Sequence, residues 1–65
     1  MKYIIVPKNQ PMRPVIAYTR GLQDSVKLRG EAGKEKPLVM GAGLAKVVTA
    51  WLNKSFGMEF VYIKE

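Results

Sequence analysis

The 65-residue chain carries eleven Lys and Arg against five Asp and Glu, a net charge of +6, and is 48% hydrophobic. That balance describes one small globular domain spanning 1–65, close to the smallest size that folds unaided, and excludes a disordered chain. Cys and His are both absent, which removes disulfides, thiolate chemistry, the usual general base and the commonest transition-metal ligand.

Tyr3-Ile4-Ile5-Val6 is apolar on both faces and predicts a first strand, ended by Pro7. It is too short for the core of a secretion signal. The following connection to Pro14 is stiff, because each proline fixes its own φ and restricts its predecessor. Pro11-Met12-Arg13-Pro14 matches the P-x-x-P ligand pattern, and a rigid inter-strand loop accounts for it more simply. Val15 to Arg20 reads as a second strand, with Val15, Ala17 and Thr19 on one face and Ile16, Tyr18 and Arg20 on the other. After a turn at 21–24, Ser25 to Arg29 reads as a third, with Val26 and Leu28 inward and Lys27 and Arg29 outward. Residues 30–36 mix both charge signs without apolar periodicity and predict an exposed loop; Leu38-Val39-Met40 then reads as a short strand.

An amphipathic helix is expected over about 44–56. Leu44, Val47, Val48, Trp51, Leu52 and Phe56 follow the spacing of one helical face, and Lys46, Thr49, Asn53 and Lys54 are expected in water. Gly57 suits a left-handed cap, and Lys54 suits the negative end of the helix dipole. Met58 to Ile63 predicts a final strand, again apolar on both faces. The fold class is therefore α+β: a small, mostly antiparallel sheet of three or four strands with one helix packed on it. Such a two-sided strand wants cover on both faces, and one helix supplies only one. A homodimer, a partner protein or simply a tight internal fold would supply the other.

The most suggestive local pattern is Gly41-Ala42-Gly43-Leu44-Ala45-Lys46. Glycines leading into a helix, with no acid in the first turn, make Gly41, Gly43 and Lys46 a candidate anion site. The dinucleotide fingerprint and the Walker spacing are both missing, and an ordinary cap or close-packing role competes. Asp24, Glu31, Glu35, Glu59 and Glu65 are scattered, and Ser25 and Ser55 lack a histidine base. Nothing has metal-ligand spacing or the form of a carboxylate dyad, so the chain reads as non-enzymatic, without cofactor or metal.

The functional reading is a small basic binding protein that contacts nucleic acid, or a protein of the nucleic-acid machinery, through a Lys/Arg face. Tyr18 would stack on a base; Arg20, Lys27 and Arg29 would meet phosphates; Lys46 and Lys54 would form a second basic face. The alternative is a regulator or inhibitor, of the kind phages and mobile elements encode, that docks on a host protein through exposed apolar strand surface. No apolar run is long enough to span a membrane, and a cytoplasmic location is expected.

Overall fold

A computed structural model describes residues 1–65. Five elements follow in the order β1 (Tyr3–Pro7), β2 (Val15–Thr19), β3 (Ser25–Leu28), α1 (Ala42–Phe56) and β4 (Phe60–Lys64). The α+β class is thus as expected, with all strand pairing antiparallel and the single helix packed on the strands. The four strands divide into two ribbons, β1–β4 and β2–β3, rather than forming one continuous sheet. β1 and β4 pair without a shift from Tyr3↔Lys64 to Pro7↔Phe60.

The segment expected as a short strand stitches the ribbons together. Met40 N–H donates to Tyr3 C=O at 3.0 Å and Tyr3 N–H donates to Met40 C=O at 2.8 Å, while Leu38 N–H donates to Val15 C=O at 3.0 Å. The spatial order is therefore β3, β2, the 38–40 segment, β1, β4. A single Leu38–Val15 backbone bond holds the seam on the β2 side. The sheet breaks there because so short a segment cannot sustain a ladder along both neighbours.

Within the hairpin, the register shifts between Val15 and Ala17. An extra residue in one strand of an antiparallel pair reverses the alternation beyond it. Val15, Tyr18, Val26 and Leu28 consequently pack on the core side together, whereas strict alternation had placed Val15 and Tyr18 on opposite faces. Ile16 absorbs the extra position.

The helix ends as the sequence indicates. Gly57 adopts φ 63° and ψ 18°, a conformation costly for any residue with a Cβ, and Lys54 lies in the last turn. Its buried stripe, however, is Ala45, Val48, Thr49 and Leu52. Ala45, Val48 and Leu52 join Ile5, Val15, Met40 and Phe60 in the core. Two expectations are corrected here: Leu44 and Val47 do not face inward but remain 52% and 55% exposed, and Thr49 is buried rather than hydrated. The physical reason is that α1 carries two adjacent apolar stripes. The one containing Ala45 lets the backbone approach the strands closely, because the contact side chain is small.

Asn53 is exposed, as expected, and also closes the return from helix to strand. Its Oδ1 accepts from Phe60 N–H at 2.5 Å and its Nδ2 donates to Phe60 C=O at 3.3 Å. No helix is long and apolar enough to cross a membrane.

Candidate interaction surface

The unstitched part of the seam is a groove. Past the Leu38–Val15 bond, β2 and the 38–40 segment enclose an open recess of about 310 Å³, with Leu44 of α1 contributing from the helix start. All seven lining residues are hydrophobic: Ile16, Ala17 and Tyr18 from β2, then Leu38, Val39, Met40 and Leu44. The bulge directs Ile16 towards the groove, and the rotation of α1 leaves Leu44 and Val47 outside the core. Because Leu44, Val47 and Trp51 recur at helical spacing, they carry apolar surface from the groove along α1.

That stripe ends in an aromatic cluster. The Trp51 ring lies 5.6 Å from Tyr18 and 5.8 Å from Phe56, centroid to centroid, the latter edge to face. The Arg20 guanidinium sits 4.9 Å from the Trp51 ring centroid, within cation–π range. Tyr18 and Arg20, paired in the sequence reading, do stand together, with Trp51 as their shared contact. Lys54 lies one turn beyond Trp51 on the exposed side of α1.

The other basic residues go elsewhere. Lys27 pairs with Ala17, on the face of the hairpin turned away from the core. Arg29 is half-buried and occupied: its guanidinium donates to Met12 C=O at 3.1 Å and to Glu35 C=O at 3.4 Å. Its own carbonyl accepts from Arg13 Nε at 2.7 Å. Arg29 thus ties two loops to the hairpin instead of projecting outward as expected. Lys46 is exposed on the opposite flank of the buried stripe from Trp51. The six residues form no single face.

At the candidate anion site, Gly41 is the N-cap residue and supplies no side-chain cap, and no acid occupies the first turn. A Cβ at Gly41 or Gly43 would meet nothing within 4 Å, and neither has positive φ. Close packing therefore does not account for these glycines. Lys46 is on the first turns of the same helix and is exposed.

The sequence reading missed Ile16, Leu38, Val39 and Leu44 as surface-forming residues. The available signal was the second apolar stripe of α1, which exceeds what one small core can bury. Compared with known proteins, the chain matches no family model, no curated protein and no solved structure.

Proposed function

We propose that this chain is a non-enzymatic docking protein that binds a partner protein through the apolar groove at the seam. The observation carrying this reading is a recess lined wholly by hydrophobic residues and continuous with the exposed Leu44–Val47 stripe. Contiguous exposed apolar surface of this kind marks interaction sites in soluble proteins. Trp, Tyr and Arg together at one rim are the residue types that dominate binding energy in interfaces. The partner supplies a large apolar side chain for the groove and carboxylates for Arg20. The net charge of +6 acts mainly on encounter rate.

Peptide display against the folded chain, counter-selected on Leu44→Asp, tests the proposal. Selected sequences should share a large apolar anchor with flanking acids, and their amide shift changes should centre on Ile16, Tyr18, Leu38 and Leu44. Binders that map to the outer face around Lys27, or that ignore Leu44→Asp, would refute it.

One observation favours a second reading. Arg20 over Trp51, beside Tyr18, offers a stacking platform with a phosphate partner, which suits single-stranded nucleic acid. Trp51 is the only tryptophan, so its fluorescence reports directly. Saturable quenching by an oligonucleotide that weakens steeply with salt would establish nucleic-acid binding. The docking reading expects no saturable quenching near physiological salt.

A further inference from the structure

β4 lies at the end of the strand order, with β1 as its only strand neighbour. The backbone bonds Lys8 N–H to Glu59 C=O and Glu65 N–H to Lys2 C=O fall in the same register as the β1–β4 pairs. In an antiparallel ladder, hydrogen-bonded positions alternate. Residues 59, 61, 63 and 65 therefore turn their backbone groups towards β1, and 60, 62 and 64 turn theirs away. Both outward groups of Phe60 are taken by Asn53. Those of Tyr62 and Lys64 face an open edge. The side chains of Val61, Tyr62 and Ile63 are also 37%, 39% and 41% exposed. Within its five residues β4 has no proline and no bulge, two of the devices that blunt free edges; its one charged residue is Lys64.

We infer that this edge pairs with the same edge of a second copy, in an antiparallel register centred on Ile63. Outward groups must meet outward groups, which leaves five symmetric registers, one centred on each residue of β4. Centring on Phe60 or Val61 sets Phe60 opposite itself or Tyr62, and Asn53 already holds the Phe60 groups. Centring on Tyr62 sets Lys64 opposite Phe60, whose groups Asn53 already holds. Centring on Lys64 sets like charges directly opposite one another, which is unfavourable. Centring on Ile63 uses only free groups: Tyr62 and the partner's Lys64 exchange both bonds, and so does the symmetric pair.

The side chains agree with that register. Ile63 meets its own copy, and Ile4, which pairs with Ile63 inside each chain, continues the row on the same face. Four isoleucines then cross the joined sheet. On the opposite face each Lys64 lies beside a Tyr62 ring, so its charge gains an aromatic contact. This edge and the seam groove are separated by β1, so dimerisation leaves two grooves open. The inference therefore stands independently of what the groove binds.

The experiment uses the full chain, which contains no cysteine. Sedimentation equilibrium across roughly 10 µM to 1 mM, a range that captures weak association, should show a monomer–dimer equilibrium. Ile63→Lys should weaken it by about tenfold or more, since it opposes like charges and removes apolar contact. Ile63→Cys makes the register readable, because a directly opposed, non-hydrogen-bonded pair brings the Cβ atoms near disulfide distance. Mild oxidation should convert Ile63→Cys to covalent dimer, while Val61→Cys and Lys64→Cys stay largely monomeric. A native chain that remains monomeric at the highest concentration, leaving the edge to another protein's strand, overturns the inference. Equal coupling at all three positions also overturns it.

Discussion

At the scale of single residues, the least satisfied group in the core is the Thr49 hydroxyl. Thr49 is 6% exposed, and its Oγ1 has no hydrogen-bond partner. A buried, unpaired hydroxyl costs roughly 1–3 kcal/mol relative to a satisfied one. Val has nearly the same shape and no polar atom to desolvate. Thr49→Val should therefore stabilise the fold by about 1 kcal/mol, seen as a higher urea midpoint with an unchanged slope. A lowered midpoint would mean that the hydroxyl has a partner in solution. Asn53 is the opposite case: it is exposed, as expected, and its amide also serves as a one-residue strand for Phe60. No periodicity argument reveals such a role, because amide side chains satisfy water and backbone equally well.

At the scale of elements, most of the fold was legible. Every strand lies within two residues of where composition and proline or glycine punctuation placed it, and Gly57 ends the helix in the left-handed conformation. Orientation was less legible, for identifiable reasons. Ile16 and Tyr18 both suit an inward position, so nothing in Val15 to Thr19 announced the bulge. Two overlapping stripes on α1 fit the helical period, and the strands decide which is buried. Of the candidate site, the Tyr18–Arg20 pairing could be read from the chain. The dispersal of Lys27, Arg29 and Lys46 could not, since it depends on loop contacts distant in sequence. Gly43 offers a test at this scale. It lies in the first turn of α1 with open space around its missing Cβ and no positive φ. Gly43→Ala should raise stability by up to about 1 kcal/mol, the usual helix-propensity difference. Thermal denaturation would reveal it as a higher Tm, and a loss would show that this turn needs glycine's freedom.

At the scale of the whole molecule, stability is unevenly distributed. Only eleven of 65 residues are buried, and a domain this small has little reserve. Most of that burial belongs to β1, α1 and Phe60 of β4; the hairpin contributes Val15 from its strands, while β3 has no buried residue. Arg29 and Trp51 strengthen the hairpin's attachment, but by contacts at or near the surface. The β2–β3 hairpin should therefore open more readily than the unit formed by β1, α1 and β4. Native-state hydrogen exchange checks this residue by residue. Hairpin amides of Thr19 and Lys27, which alternation from the Arg29–Pro14 bond turns towards the opposite strand, should exchange with a smaller opening free energy than those of Val48 and Leu52. A common value for both groups would mean that the seam transmits the full cooperativity of the fold. The difference matters because the groove lies on that seam, with its walls on the two separately stabilised parts. A ligand bridging Ile16 and Leu38 closes the weaker junction, so it should slow exchange in β2 and β3 more than in α1.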